Sequence, residues 1–261
     1  MDVIFKALSD ETRRSLLDML HKRDGQTLTE LEEKLGMTRF GVMKHLKILE
    51  EASLVVTRRS GRFKYHYLNA VPLQQVIDRW IEPLTQKPMA RAALDLKAKL
   101  EGTEPMNAMN IDDAKPNFVL ETYIKTTVEK LWTALTSGEH TKNYHFAAAE
   151  VKSDLKKGGR FDHILPDGSI MLGGEILDID PPKRLDITFE PGWMGPDAKA
   201  SRCVYEVEAE GDHCKLTVLH YALPEDQEGV RDGWARVISA MKTYLETDRP
   251  TVFSSNQGAG Q

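Results

Sequence analysis

The chain has 261 residues, of which 41% are hydrophobic and 29% are charged. This length is sufficient to bury two hydrophobic cores, and the composition is ordinary for a soluble protein. No apolar run approaches the roughly 18 residues of a membrane span, and the first residues are acidic where a signal peptide would be basic. We therefore expect a cytoplasmic protein with no membrane partner.

Positive and negative charges are segregated along the chain. Residues 1–100 contain 18 lysines and arginines against 13 acidic residues, whereas residues 101–261 contain 17 against 27. Segment 38–64 alone carries seven basic residues against Glu50 and Glu51. A basic patch of this kind predicts nucleic-acid binding despite the pI near 5.9, because it acts within a Debye length of about 8–10 Å. The alternative is the solvated face of an ordinary amphipathic helix.

Segment 27–68 predicts a helix, a tight turn, a second helix and a two-stranded ribbon. The helical period breaks at Gly36-Met37, after which Thr38 can cap the second helix. The two apolar stripes are Leu28, Leu31 and Leu35, then Val42, Leu46 and Leu49. Two β-rich runs then meet at Ser60-Gly61, which is a hairpin signal. This is the pattern of a winged helix-turn-helix.

The second helix of this motif would present a cationic and partly apolar face to DNA, and the ribbon tip would add further cations. Basic side chains suit phosphate oxygens and guanine edges, whereas Phe40 and Met43 suit thymine methyl groups in a major groove. The predicted DNA-binding residues are Thr38, Arg39, Phe40, Met43, Lys44, His45, Lys47, Arg58, Arg59, Arg62 and Lys64.

Residues 101–116 are polar, rich in helix breakers and without apolar period, which predicts a linker. We expect a DNA-binding and dimerisation domain at 1–100, a second domain at 117–250 and a disordered tail at 251–261. Segment Val71–Leu100 has a long apolar face interrupted by Pro83 and Pro88. This face favours a homodimer contact, together with the N-terminal helix; packing against the second domain is the alternative.

The first hundred residues resemble the ArsR-type winged-helix repressors through LSDETRRSLLDML, MTRFGVMKHLKILEEASLV and VTRRSGRFKYHYL. The resemblance implies a symmetric dimer that occupies a promoter with one recognition helix per half-site. It also implies His45 as a phosphate or groove contact, although its angle borders the buried face and leaves a structural role open. Two positions depart from the family. The helix LTELEEKL lacks the cysteines of metal sensors. Ser53 stands where a glycine commonly follows the recognition helix, so the left-handed backbone expected there is slightly costly.

The second half predicts a strand, a short helix, several strands separated by glycine and proline breaks, and a long C-terminal helix. The apolar stripe of that last helix consists of Val230, Trp234, Val237, Ile238, Met241 and Leu245. This order predicts a two-domain α+β protein in which a curved antiparallel sheet surrounds the C-terminal helix.

This half resembles the SRPBCC or START-like superfamily, in the branch similar to activators of the heat-shock 90 chaperone ATPase. The resemblance is carried by KLWTALTSGEHTKNY, SDLKKGGRFDH, GGEILDIDPPKRLDITF, KLTVLHYAL and GWARVISAMKTYLE. It implies a helix-grip fold whose internal apolar cavity binds a hydrophobic small molecule. The predicted ligand-binding residues are Trp132, Tyr144, Phe161, His163, Met171, Phe189, Trp193, Tyr205, His220, Trp234, Ile238 and Met241. The alternative is that many of these side chains simply fill a core.

Cys203 and His220 are the strongest candidates for a catalytic pair. If Ala209 faces Cys214 across a hairpin, Cys203 faces His220, and the two cysteines are about 20 Å apart, too far for a disulfide. A thiolate–imidazole nucleophile would need a third, orienting residue, and none is visible, so polar residues in an apolar pocket are the favoured reading. The histidines also lack metal-ligand spacing. We expect no enzyme activity, no catalytic residue, no metal and no cofactor.

These observations lead to one hypothesis: a regulator, and specifically a repressor, whose affinity for a double-stranded DNA operator is controlled by an apolar small molecule in the second domain. The ligand would shift the terminal helix or the loop around Pro191–Asp197 and so change the separation of the two recognition helices. The two half-sites, about 34–36 Å apart, could then no longer be engaged together. The alternatives are a helix-grip enzyme acting on a hydrophobic small molecule and a chaperone-cofactor-like interaction module. The basic segment 38–64 favours regulation over both.

Overall fold

The computed structural model of the protein describes residues 2–81, 115–194, 199–224 and 229–251. Residues 101–114 of the predicted linker, residues 252–261 of the predicted tail and most of segment 71–100 lie outside the described residues. The described helices are α1 Asp2–Leu8, α2 Glu11–Lys22, α3 Leu28–Leu35, α4 Arg39–Glu51, α5 Val71–Val76, α6 Val128–Thr136, α7 Gly138–Thr141 and α8 Gly229–Thr247. The described strands are β1 Gln26–Thr27, β2 Val55–Ser60, β3 Phe63–Leu68, β4 Phe118–Ile124, β5 Glu150–Ser153, β6 Phe161–Ile164, β7 Ile170–Gly173, β8 Ile176–Asp180, β9 Arg184–Pro191, β10 Ser201–Glu210 and β11 His213–Tyr221.

The first half is a winged helix-turn-helix, and side-chain caps start its helices. Asp10 accepts a hydrogen bond from the Arg13 backbone amide at 3.0 Å and caps α2. Thr27 and Glu30 form a capping box at the start of α3. Thr38 accepts from the amide of Gly41 and caps α4, as predicted. Each cap satisfies an amide that the first helical turn leaves without a partner.

The end of α4 confirms the expectation for Ser53, which adopts a left-handed backbone with φ of 55°. Its amide donates to the carbonyl of Glu50 at 2.9 Å, and the next amide, of Leu54, donates to Leu49 at 2.9 Å. These bonds close the helix and direct the chain into the wing. A residue with a side chain is less stable in this conformation than a glycine is, because its Cβ atom crowds the carbonyl oxygen.

The second half has the predicted helix-grip architecture. Its antiparallel sheet has the order β4-β11-β10-β9-β7-β6-β5, with β8 paired to β9. The inner face of this sheet and the apolar stripe of α8 share one hydrophobic core. The register of the hairpin between β10 and β11 also matches the prediction, since Ala209 faces Cys214 and Cys203 faces His220. Both cysteines are free and buried.

The two halves share an apolar interface. Val56 and Tyr67 of the wing pack with Val119, Val204 and Leu219 of the sheet in one buried cluster. Helix α5 extends this interface, because Val71 belongs to the hydrophobic core of the second half. Within the described part of the predicted dimer segment, Val71 therefore packs against the second half of its own chain, which was the alternative reading, whereas Val76 packs in the core of the winged half.

Polar contacts fix the same interface in position. The side chain of Asn69 donates to the backbone carbonyl of Glu121 at 2.9 Å and accepts from the Glu121 amide at 3.2 Å. Asp78, in the π-helical turn after α5, accepts from the Ser239 hydroxyl on α8 at 2.7 Å. Because Asn69 pairs with both backbone groups of one strand residue, it sets the distance between the wing and the sheet.

None of the helices in the described ranges combines the length and the apolar composition needed to cross a bilayer.

Candidate nucleic-acid interface and internal cavity

Helix α4 separates its apolar and cationic faces as its period predicted. Val42, Leu46 and Leu49 are fully or almost fully buried in the core of the winged half. On the other face the aromatic ring of Phe40 is 65% exposed, and Met43 is 50% exposed. These exposures hold with the second half present, so the acidic half does not cover the recognition helix. The other outward residues of the predicted contact set on this helix are Thr38, Arg39, Lys44 and Lys47.

The cations of α4 remain available for phosphates. The Nζ atom of Lys44 lies 4.6 Å from the centroid of the Phe40 ring, an arrangement that leaves its charge without an acidic partner among the ion pairs of the described residues. Lys47 approaches Glu51 only at 3.9 Å, and both side chains are well exposed. Arg39 lies 3.5 Å from Glu32 of α3. Exposed ion pairs of this kind contribute little to stability, so these cations readily exchange the carboxylate for a phosphate.

The wing presents cations on two opposite faces. Arg59, Arg62 and Lys64 are exposed, and Lys64 pairs with Glu50 at 3.1 Å. Arg58 instead shares its strand face with Val56, because side chains alternate along a strand. It donates to Glu206 of the second half at 2.9 Å. This placement makes Arg58 an interdomain contact, and the DNA contacts that we propose do not include it.

His45 lies at the edge of the recognition helix. Its Nδ1 atom is 3.4 Å from a carboxylate oxygen of Asp10 on α2, and its side chain is 21% exposed. The neighbouring helix therefore provides a structural partner for this histidine. Its role as a DNA contact remains a prediction.

The second half contains a partly open apolar cavity of about 450 Å³ between the sheet and the N-terminal turns of α8. Four of the predicted ligand residues line it, namely Met171, Phe189, Trp193 and Trp234. Trp193 is 59% exposed and contributes an apolar surface at the cavity. The lining residues that sequence reasoning missed are His145, Phe146, Leu172, Met194, Gly229, Val230, Gly233 and Val237.

A much smaller void of about 20 Å³ lies next to the cavity, and His145, Trp234 and Val237 line both spaces. Five more of the predicted residues line this small void: Tyr144, His163, Tyr205, Ile238 and Met241. The remaining three, Trp132, Phe161 and His220, are buried and line neither space. For these three the structure supports the alternative, that they fill the core.

Burial favours the neutral form of three histidines in the second half. Burial lowers the pKa of His163 to about 4 and that of His220 to about 3. Burial also lowers the pKa of His145 well below its usual value, helped by the neighbouring His163 and opposed in part by the backbone of Phe146. The rings of His145 and His163 are stacked at a tilt, with centroids 4.5 Å apart. Removal from water disfavours the cationic form of each ring.

The Cys203 and His220 couple lacks the features of a nucleophile. Burial raises the pKa of the Cys203 thiol far above its usual range, so the thiolate is not populated near neutral pH. The Nε2 atom of His220 is 2.7 Å from the hydroxyl of Ser201, and the ring stacks on Phe118. These contacts are those of a polar pair inside an apolar core.

One residue of α8 connects the cavity helix to the winged half. Arg231 follows directly after the cavity-lining Val230, and its Nη1 atom lies 2.7 Å from Oδ2 of Asp24. The other oxygen of Asp24 accepts from the backbone amide of Leu68 in the wing at 2.6 Å. Burial raises the pKa of Asp24 to about 6, although Arg231 and the Leu68 amide both lower it. A single helical turn thus contacts both the cavity and the DNA-binding half.

Comparisons with known proteins match the two halves of the chain to two different families. A family model described as a helix-turn-helix domain matches residues 8–58, and the model of the Activator of Hsp90 ATPase homolog 1-like protein matches residues 125–246. The uncharacterized HTH-type transcriptional regulator YuzN of Bacillus subtilis is 42% identical over 87 residues, which are 31% of this chain and 95% of that protein. The transcriptional repressor SdpR of Bacillus subtilis is 37% identical over 30% of this chain and 86% of its own length.

The fold and the exposed basic helix, with these relatives, define a DNA-binding transcriptional regulator. The chain belongs to the ArsR-type helix-turn-helix regulators, and its second half is an Activator of Hsp90 ATPase homolog 1-like domain of the SRPBCC class. Among solved structures, CalU16 of Micromonospora echinospora aligns with 50% of this chain and 74% of its own, at 24% identity and a TM-score of 0.42.

Proposed function

We propose that the chain is a repressor whose affinity for a DNA operator falls when an apolar small molecule occupies the cavity of the second half. The division at residues 101–116, between a DNA-binding domain at 1–100 and a ligand-sensing domain at 117–250, is part of this proposal. So is the set of DNA contacts on α4 and at the tip of the wing.

The observation that carries the proposal is the double role of the first turns of α8. Val230, Gly233 and Trp234 line the cavity, whereas Arg231 on the same turn is held by Asp24 of the winged half. An α-helix moves largely as a rigid rod over such a distance, so a ligand that displaces the cavity face also displaces Arg231. A ligand can shift the equilibrium only through such differential contacts.

The wing is the element that this displacement would reach. Asp24 holds the amide of Leu68 at the end of β3, and β3 pairs with β2, which carries Arg59. A coupling free energy of about 1–3 kcal/mol between cavity and wing changes operator affinity about 5–150-fold, which is sufficient for a switch.

The DNA-binding part is tested first. Genomic fragments captured by the purified protein provide the operator, and its affinity is measured over a range of salt concentrations. The double variant Lys44→Ala/Lys47→Ala is expected to bind more weakly and to reduce the log–log salt slope by about one unit for each phosphate that the protein no longer neutralises. Lys130→Ala/Lys157→Ala is the matched control, since both lysines are exposed on the second half. An unchanged slope in the first variant would show that α4 does not face DNA.

The ligand-control part of the proposal is tested by a substitution that places a larger side chain in the cavity. A Cβ atom added at Gly233 would meet its nearest neighbour, a Phe146 ring carbon, at 3.9 Å, so a side chain fits there. Gly233→Leu is expected to imitate the bound state and to lower operator affinity about 5–150-fold. Asp232→Leu, at the exposed neighbouring position, is expected to leave operator affinity unchanged. Equal operator affinity in both variants would refute control through the cavity.

The proposal includes a homodimer formed by the N-terminal helix and segment Val71–Leu100. Val3 and Phe5 of α1 are 54% and 47% exposed, and Trp80 and Ile81 after α5 are each 47% exposed. Large apolar side chains exposed on these two elements favour burial against a second copy of the chain. A wild-type mass in solution equal to that of the monomer would refute the homodimer. The variant Phe5→Glu is expected to shift the equilibrium from dimer towards monomer.

We also propose that the second half binds its small molecule without converting it. The suppressed ionisation of Cys203 and the engagement of His220 by Ser201 support binding over nucleophilic catalysis. The test is recovery of the chemically unchanged ligand from the protein after prolonged incubation, measured by mass spectrometry.

A further inference from the structure

We propose that the ligand is an uncharged hydrophobic molecule with one hydroxyl group, and that His145, His163 and Trp234 recognise this hydroxyl. This inference rests on the proposed function, because it takes the cavity to be the ligand site. It adds the chemical class of the ligand and the residues that select it.

The first step is the position of the three side chains. His145 and Trp234 lie in the wall between the cavity and the small void, and His163 lines the void. Each of the three residues is more than nine-tenths buried. They bring polar side chains to spaces whose other lining residues are mostly apolar, including Met171, Phe189 and Val237.

The second step is that these polar atoms lack partners. The Nδ1 atom of His163 and the Nε1 atom of Trp234 are buried without a hydrogen-bond partner in the described structure, and the Nδ1 atom of His145 likewise, although the backbone of Phe146 also acts on the His145 ring. Buried polar groups in proteins are normally paired, and an unpaired one loses its hydration without compensation. By contrast, the hydroxyl of Tyr144, in the same void, donates to the backbone carbonyl of Ala134 at 2.8 Å. His163 and Trp234 therefore offer unpaired polar atoms to a ligand, with His145 beside them.

The third step is the fit of the partner group. A void of about 20 Å³ accommodates one oxygen-sized group and little more. The indole N–H of Trp234 only donates, whereas a neutral imidazole either donates or accepts at Nδ1. A hydroxyl both donates and accepts, so it is able to pair with Trp234 and with a histidine at once.

The fourth step concerns charge. The described residues that line the two spaces include no lysine, arginine, aspartate or glutamate. Their titratable members are His145, His163, Tyr144 and Tyr205, and burial shifts the pKa of each so that the charged form is suppressed. A carboxylate bound here would have to be desolvated without a compensating cation, which is unfavourable. An uncharged group is bound without that cost.

Three probes with one skeleton test the inference on the full-length protein: naphthalene, 2-naphthol and 2-naphthoate, with affinities measured by calorimetry. We expect 2-naphthol to bind about 3- to 10-fold more tightly than naphthalene, because one additional neutral hydrogen bond increases affinity by about this factor. This preference should be constant between pH 6 and pH 8, because both histidines stay neutral throughout. We expect 2-naphthoate to bind most weakly of the three.

Two variants locate the preference. His163→Leu removes the imidazole nitrogens, and Trp234→Phe removes the indole N–H while it keeps an aromatic ring. Both are expected to bind naphthalene and to lose the preference for 2-naphthol. His220→Leu and Trp132→Phe are the matched controls, since both residues are buried and line neither space. Both controls are expected to retain the preference.

The outcomes separate this inference from the proposed function. If naphthalene binds as tightly as 2-naphthol to the wild type, the hydroxyl-selective site is refuted while the cavity remains a ligand site. Tightest binding by 2-naphthoate, increasing as the pH falls, would overturn the uncharged class. If none of the probes binds, the cavity is not a ligand site and both proposals fail. The wild-type comparison decides the question even where a variant does not fold.

Discussion

Arg231 and Asp24 form a nearly buried ion pair between the cavity helix and the winged half. Their side chains are 11% and 4% exposed, and 2.7 Å separates the guanidinium nitrogen from the carboxylate oxygen. The sequence separates these residues by more than two hundred positions, so no local pattern reveals the pair. The pair contributes both to stability and to the proposed route from ligand to wing.

Arg231→Met is expected to destabilise the protein by on the order of 3 kcal/mol, because it leaves Asp24 buried without its charged partner. It should also reduce the effect of ligand on operator affinity. Urea unfolding at pH 7 measures the first effect, and operator titrations with and without 2-naphthol measure the second. Arg236→Met, on the same helix, is the control; an equal loss of stability there would show that Arg231 has no special role.

Asp24→Asn is expected to change how stability depends on pH. The folded-state pKa of Asp24 is about 6, above the ordinary value of 3.8, so the folded state binds this proton more tightly than the unfolded state does. The group therefore adds stability as the pH falls through 6. Between pH 7 and pH 4.5 the wild type should gain on the order of 2 kcal/mol relative to the variant. Parallel pH profiles of unfolding in the two proteins would contradict the raised pKa.

Arg58→Gln and Arg59→Gln form a matched pair on neighbouring residues of β2. Arg59 is exposed on the outer face of the wing, whereas Arg58 is held by Glu206. We expect Arg59→Gln to reduce the salt slope of operator binding by about 0.9. Arg58→Gln should leave this slope unchanged. The reverse result, obtained by fluorescence anisotropy over a salt series, would show that the wing turns its other face to DNA.

Ser53→Gly is expected to stabilise the winged half. The residue adopts φ of 55° after α4, and a glycine there relieves the crowding of Cβ, partly offset by its greater chain entropy in the unfolded state. The expected gain is about 0.5 kcal/mol in urea unfolding. Ser60→Gly, in the extended backbone of β2, should instead cost stability. A loss of stability at Ser53 would mean that its side chain makes an essential contact.

The elements that the sequence predicted are those that local rules determine. The cap at Thr38, the buried stripe of α4 and the pairing of Cys203 with His220 all follow from helix periods, capping chemistry or strand alternation. Such rules involve only residues that are close along the chain or joined by one hairpin.

The features that were missed depend on contacts between distant segments. The inward face of Arg58 follows from the packing of the wing on the sheet, and the position of Val71 follows from the core of the other half. His145 precedes a 3-10 turn with left-handed backbone at Ala147 and Ala148, so no period assigned it to the cavity. Val230 belonged to a predicted apolar stripe, but only the spacing between helix and sheet distinguishes a cavity wall from a filled core.

The bond between Asn69 and the main chain of Glu121 has a consequence for how such proteins diversify. Because the joint recognises peptide groups, which every non-proline amino acid possesses, mutation of the side chains around the pocket leaves it in place. Under the proposed function, exchange of a few pocket residues would therefore change which ligand is bound, while this contact between the wing and the sheet is kept.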